Sequence, residues 1–144
     1  MRKHIEKIAA SIRVDYFLRV PLFEDYLRYV EAFQTDITDN FTQWIDGSFT
    51  SKRKNPNDID LVTILDYEIV EANKALLDKR FTDKGAIEQF NLDAYIVRKF
   101  PDDHKKAFFT ISDLAYWNDW FSRSRKDKSG RRFPKGYIEI HFGF

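Results

Sequence analysis

The chain has 144 residues, 43% of them hydrophobic, and its 24 Lys and Arg against 23 Asp and Glu leave a net charge of +1. This length fits one domain, and the balanced charge gives no reason to expect a whole-surface affinity for nucleic acid or membrane. The absence of cysteine excludes disulfides and thiolate metal sites. No segment approaches a membrane span or a signal peptide, so a cytoplasmic protein without a membrane partner is expected.

The predicted elements begin with helices. Residues 5–13 favour a helix, and Pro21 is typical of a helix start, where its missing N–H costs nothing. Apolar residues then recur at helical spacing, which predicts an amphipathic helix over residues 22–33. Polar residues 35–40 predict a loop.

Two strands follow, separated by a basic turn. Residues 41–46 predict a short strand that ends at Gly47, and residues 50–57 carry turn chemistry with Asn-Pro-Asn. Residues 58–65 form an almost continuous apolar run, which is typical of a strand covered on both faces. The helical pattern of residues 68–81 turns Val70, Leu76 and Leu77 inward.

The second half alternates helices and strands. Helices are predicted over residues 83–90 and 114–123, the latter capped by Ser112, and strands over residues 92–98 and 137–142. The aromatic residues of the later helix recur at helical spacing, which favours a core role over base stacking: Tyr116, Trp117, Trp120 and Phe121. A basic, Gly-containing loop over residues 123–135 precedes the last strand. The sum predicts an α+β fold with helices packed on a mixed β-sheet.

Acidic residues at the start of the second strand predict a metal site. Asp58 and Asp60 point to the same strand face about 7 Å apart, whereas Ile59 points into the core. Two carboxylates on one face repel unless a cation lies between them, and Mg²⁺ prefers such oxygen ligands. Asp93 joins the same centre if its strand, residues 92–98, lies beside the strand over residues 58–65. A solvated strand edge is the alternative interpretation.

Phosphate chemistry is predicted immediately before these aspartates. Gly47 allows close approach to the backbone, and the Ser48 hydroxyl adds a donor. Lys52 and Arg53 add positive charge near a polyphosphate. For the Gly-Ser pair alone, a tight turn is the alternative.

The pattern resembles the DNA-polymerase-beta-like nucleotidyltransferase superfamily. Gly47-Ser48 is followed after nine residues by Asp58-Ile59-Asp60, and later by Asp93 on a separate predicted strand. The motif Gly-Ser-Phe with Pro-Asn-Asp-Ile-Asp looks like a minimal, single-domain, uncharacterised bacterial and phage branch. Two further dipeptides of that branch have counterparts here, at residues 116–117 and 135–136. The resemblance extends from about residue 41 to the C-terminus.

The resemblance implies fold, activity and ligands together. It implies a catalytic core over residues 41–144, and with a helical N-terminal part (1–40) we expect one nucleotidyltransferase-like domain over residues 1–144. Asp58, Asp60 and Asp93 would hold Mg²⁺ or Mn²⁺, and Gly47 and Ser48 would contact a nucleoside triphosphate. A nucleoside monophosphate would then pass to a hydroxyl acceptor.

One departure from the superfamily concerns the segment after Gly47-Ser48. In many members a helix follows this pair directly, whereas residues 50–57 predict a basic loop here. We therefore expect phosphate binding to depend on Lys52 and Arg53.

The sequence says less about the acceptor and other partners than about the site. Minimal members of the superfamily modify a partner protein, as toxin–antitoxin systems do, or an RNA, and we expect one of these acceptors. The basic residues of the later loop could steer a triphosphate or contact an RNA backbone: Arg123, Arg125, Arg131, Arg132 and Lys135. The alternative is a non-catalytic module of the same fold that docks a nucleic acid or a protein.

Overall fold

The protein is described here by a computed structural model that covers residues 16–46, 59–123, 128–132, 134 and 136–143, with side chains from residue 23 onward. Ten elements follow one another in these ranges: α1 (Tyr16–Asp36), β1 (Phe41–Asp46), β2 (Ile59–Asp66), α2 (Tyr67–Ala72), α3 (Lys74–Leu76), a π-helical turn (Leu77–Phe81), α4 (Asp83–Phe90), β3 (Leu92–Lys99), α5 (Ala107–Phe121) and β4 (Tyr137–Phe142).

The four strands form one mixed sheet in the order β3-β2-β1-β4. β1 is antiparallel to both β2 and β4, whereas β2 and β3 are parallel. A parallel pair needs a long crossover, which the helical residues 67–90 provide. The predicted α+β class with a mixed sheet is therefore confirmed. In the described parts of the chain, no helix is long and apolar enough to cross a membrane.

The sheet buries two different faces. Its first face carries the main core, in which Tyr29 of α1 makes edge-to-face contacts with Phe81 and Phe90 at 5.5 and 5.3 Å between ring centroids. Its second face packs against α5 through Val62, Val97 and Phe121. Alternate residues of each strand thus enter different layers, as the period of two requires.

Two helix starts differ from the sequence prediction. α1 is already helical at Tyr16, so Pro21 lies inside the helix rather than at its first turn. α5 begins at Ala107 and places Ser112 in its interior. The reason for the second error is tertiary, because the Thr110 hydroxyl accepts a hydrogen bond from the Phe100 N–H (2.9 Å) and donates to the Arg98 carbonyl (3.0 Å). These bonds tie the early turns of α5 to the end of β3.

The remaining described elements lie close to their predicted positions. The helical pattern over residues 68–81 is present but broken near Asn73, whose side-chain amide donates to the Ile69 carbonyl at 2.9 Å. Val70 and Leu76 are half-buried and Leu77 is buried, as predicted. The core role predicted for two aromatic residues of α5 is wrong, because Tyr116 and Trp120 are 59% and 56% exposed. They lie on the side of α5 that faces away from the sheet.

Candidate metal and phosphate site

Two aspartates face each other on neighbouring parallel strands. Asp60 of β2 lies directly opposite Asp93 of β3 in the register of the pair. Residues in this relation point to the same face, on strands about 4.8 Å apart. Both side chains are half-buried on the second face, whereas Ile59 and Leu92, the preceding pair, are buried in the core of the first face. The condition set for Asp93, that its strand lies beside β2, is therefore met, and the role of the aspartates as metal ligands stays a prediction.

A third aspartate, which the sequence analysis missed, ends β1. Asp46 is only 5% exposed, and it immediately precedes Gly47. The register pairs Ile45 with Leu61, so one further step along both strands brings Asp46 opposite Asp60. The alternation of β1 was the available signal, because Asp46 shares the parity of Trp44, which packs on the second face, and not that of the core residue Ile45.

The carboxylates form part of a row across one end of the sheet. Asp93, Asp60 and Asp46 follow one another on β3, β2 and β1, and Tyr137 of β4 lies opposite Asp46. This end combines the C-terminus of β1 with the N-termini of the three other strands. We call it the acidic end of the sheet.

The negative potential of the acidic end affects the ionisation of Tyr95. Its hydroxyl donates a hydrogen bond to Asp93 Oδ1 at 3.1 Å. Burial, followed by the charge of Asp93 and this hydrogen bond, and then by the charge of Asp60, raises the pKa of Tyr95 to about 12. The same charges that oppose a phenolate favour a bound cation, and carboxylate oxygens are the donors that Mg²⁺ and Mn²⁺ prefer. The donor set therefore fits such an ion.

The basic stretch after α5 begins and ends near the acidic end. Phe121, the last residue of α5, lies 6.1 Å from Tyr137 between ring centroids, and Tyr137 donates a hydrogen bond to Asn118 Oδ1 at 2.7 Å. The stretch leaves α5 at this point and enters β4 at Tyr137. Arg123 pairs with Pro134 in an isolated β-bridge, which brings the two ends of the stretch together.

Three of the predicted basic residues belong to the described part of this stretch. Arg131 and Arg132 are exposed, and Arg123 forms an ion pair with Asp119 at 3.0 Å. Lys128, which belongs to the same predicted basic loop, is exposed as well. These side chains give the stretch between α5 and β4 its positive charge.

Several predicted site residues lie outside the described ranges: Gly47, Ser48, Lys52, Arg53, Asp58, Arg125 and Lys135. Their roles stay predictions. Within the described ranges, no group of three or more His, Cys, Asp or Glu side chains is arranged to hold a metal ion. These ranges include Asp46, Asp60 and Asp93 but not Asp58, the third predicted ligand.

Comparison with known proteins identifies a family. Residues 4–141 match the model of a family described as a family of unknown function, DUF6932, and the chain belongs to that family. No curated protein and no solved structure matches the chain.

Proposed function

We propose that this member of the DUF6932 family is a metal-dependent nucleotidyltransferase with a DNA-polymerase-beta-like fold. It would transfer a nucleoside monophosphate from a nucleoside triphosphate to a hydroxyl acceptor. One observation carries the proposal: Asp60 and Asp93 lie directly opposite each other on neighbouring parallel strands. Like charges at such positions destabilise a sheet, and a cation bound to both carboxylates would remove this repulsion.

The order of the elements supports the same proposal. The resemblance calls for a strand that ends at Gly-Ser, a second strand with an acid–apolar–acid triplet and a third acid on a separate strand. β1 ends one residue before Gly47, β2 carries Asp60 near its beginning, and β3 carries Asp93 at the neighbouring position. Residues far apart in the chain thus converge on the acidic end.

Each group in the site has a proposed role. Asp58, Asp60 and Asp93 would hold Mg²⁺ or Mn²⁺, and Asp46 adds negative charge beside them. When bound, the ion would neutralise charge on the phosphates and acidify the attacking hydroxyl. The phosphates would contact Gly47 and Ser48 at the end of β1, with basic side chains nearby: Lys52, Arg53, Arg131 and Arg132.

The transfer exchanges one phosphorus–oxygen bond for another. The acceptor oxygen forms a bond to the α-phosphorus, and the bond from that phosphorus to the oxygen bridging to the β-phosphate breaks. Pyrophosphate leaves with the electron pair of the broken bond. The hydroxyl proton passes to the Asp93 carboxylate and from there to water, so Asp93 serves as the general base. Positioning and charge stabilisation supply the rate, since phosphoryl-type transfers need little covalent participation by the protein.

Triphosphate binding tests the proposal without knowledge of the acceptor. The melting temperature is measured with ATP, GTP, CTP and UTP in turn, each with Mg²⁺ and with EDTA. We expect at least one triphosphate to raise it only with Mg²⁺, and the double variant Asp60→Asn, Asp93→Asn to lose this rise. Asp102→Asn, an exposed aspartate after β3, is the matched control and should keep it. If no triphosphate gives a metal-dependent rise in the wild type, the proposal is wrong, and the non-catalytic module becomes the better interpretation.

A further inference from the structure

A cavity of about 260 Å³ opens at the β3 edge of the sheet. It lies between α5 on one side and the helical residues 70–83 on the other. Apolar side chains line its floor: Val70, Leu77 and Ile96. Small-molecule sites in proteins begin at about 300 Å³, so the cavity is large enough for one ring or one side-chain-sized group. A whole nucleoside triphosphate would not fit inside it.

Tyr95 connects the aromatic wall of this cavity to the acidic end of the sheet. Tyr95 and Trp117 both line the cavity, and their ring centroids lie 4.5 Å apart at an interplanar angle of 36°. The hydroxyl of the same Tyr95 donates to Asp93. A group held against these two rings would therefore lie one side chain away from the proposed general base.

The charged side chains around the cavity favour a cation. Lys74 forms an ion pair with Asp78 at 3.4 Å, and both line the cavity, so their charges largely offset each other. Asp83 leaves an excess of one negative charge among the lining side chains. Asp60 and Asp93 add further negative potential behind Tyr95. Aromatic rings and carboxylates together are the surroundings in which organic ammonium groups bind.

The position of the cavity relative to the phosphates suggests its role. In a nucleotidyl transfer the attacking and leaving oxygens lie roughly in line, on opposite sides of the phosphorus. β1, which ends just before Gly47, and β4 lie on one side of β2, whereas Asp93 and the cavity lie on the other side. An acceptor that entered along the β3 edge would approach opposite the pyrophosphate.

We propose that this cavity is the acceptor subsite and that it takes a hydroxyl-bearing organic cation with an aromatic or apolar body. The inference rests on the proposed function. It narrows the acceptor to a positively charged group, either in a small molecule or in a basic segment of a protein.

Three probes of one shape test the charge preference: tyramine, its neutral alcohol analogue tyrosol, and 4-hydroxyphenylacetate. Binding is followed without metal or nucleotide through the indole N–H signals of the 3 tryptophans in a ¹⁵N NMR spectrum. The Trp117 signal is identified by its loss in Trp117→Phe. We expect tyramine to shift this signal and to bind about fivefold more tightly than tyrosol, as one cation–π contact and one nearby carboxylate would give, with the anion weakest.

Two variants test whether the preference for the cationic probe arises in the cavity. Asp83→Asn keeps the side-chain size and suits the left-handed backbone at this position (φ 48°), and it should bring tyramine close to tyrosol. Val70→Phe fills the cavity and should weaken both probes, while Asp102→Asn changes neither. A short peptide with Tyr between two Arg residues tests the protein source: tighter binding than tyramine indicates a protein acceptor, and weaker binding indicates a small molecule.

The inference and the proposed function fail in different ways. If the Trp117 signal does not shift, or if all three probes bind equally, the acceptor subsite is refuted while metal-dependent triphosphate binding can stand. If tyramine binds but no triphosphate does, the acceptor role falls together with the proposed function. Mass-spectrometric detection of nucleotidyl-tyramine after incubation with Mg²⁺ and the bound triphosphate would support both.

Discussion

Replacing Asp93 by asparagine removes one of two facing carboxylates with almost no change in side-chain size. At about 5.5 Å, two unit charges repel by about 0.8 kcal/mol in water and by about 3 kcal/mol at an effective dielectric constant of 20. Asp60 and Asp93 are both half-buried, so a value between these limits applies. The asparagine oxygen can still accept the Tyr95 hydrogen bond. We therefore expect Asp93→Asn to raise the free energy of unfolding by about 1 kcal/mol without metal.

Divalent cations should reverse this difference, so that the wild type becomes more stable than Asp93→Asn. Mg²⁺ at ten times its dissociation constant would stabilise the wild type by about 1.4 kcal/mol and would stabilise Asp93→Asn far less. Urea unfolding at fixed ionic strength, in EDTA and in Mg²⁺, measures both differences, and Asp102→Asn again serves as the control. Destabilisation of Asp93→Asn in EDTA, or equal stabilisation of both proteins by Mg²⁺, would refute the reasoning from facing charges.

Three further predictions concern the scaffold. Burial raises the pKa of the Tyr29 hydroxyl above its ordinary value near 10, so the contribution of Tyr29 to stability is present below pH 10 and is lost as the pH rises above 10. Between pH 10 and 12, the plot of unfolding free energy against pH should therefore be less steep in Tyr29→Phe than in the wild type, by about 1.4 kcal/mol per pH unit, and an unchanged slope would contradict this. Gly85→Ala would place a Cβ against the Lys79 carbonyl oxygen and should destabilise the fold by about 3 kcal/mol in urea unfolding. Gly136→Ala, whose Cβ would meet no atom of the described residues within 4 Å, should not, and equal effects would argue against the clash. Asn91 ends α4 in the left-handed conformation (φ 56°), so calorimetry should show Asn91→Ala less stable by about 1 kcal/mol and Asn91→Gly close to the wild type, and the opposite order would be inconsistent with that backbone.

Local patterns predicted most of the elements for a simple physical reason. Strands β1 and β4 were predicted with their observed bounds, because alternation of side chains across a sheet is written directly into the sequence. Helix α4 was predicted over its observed residues as well. The start of α5 was not, since the Thr110 hydrogen bonds to β3 join residues whose relation only folding creates.

The candidate site shows the same division between local and tertiary information. The sequence predicted Asp60 near the start of one strand and Asp93 within another. Alternation along each strand also predicted that both aspartates lie on the face opposite that of the buried residues next to them. The sequence could state only conditionally that the two strands are neighbours, because strand order is decided by packing. Asp46 was missed for a related reason: alternation along β1 sets only the face on which it lies, and its significance follows from lying opposite Asp60, which depends on how the strands pair.

The sequence by itself determined that this chain has an α+β composition of elements, which strand residues face inward, and which acidic residues could hold a cation. Only the tertiary structure decided that β3 pairs in parallel with β2, so that Asp60 and Asp93 meet, and that Tyr95 joins them to a cavity at the sheet edge. The physical reason is the range of the interactions. Periodicity acts over neighbouring residues, whereas the site depends on contacts between segments that are distant in the chain, such as those of Asp60 and Asp93, which are 33 positions apart.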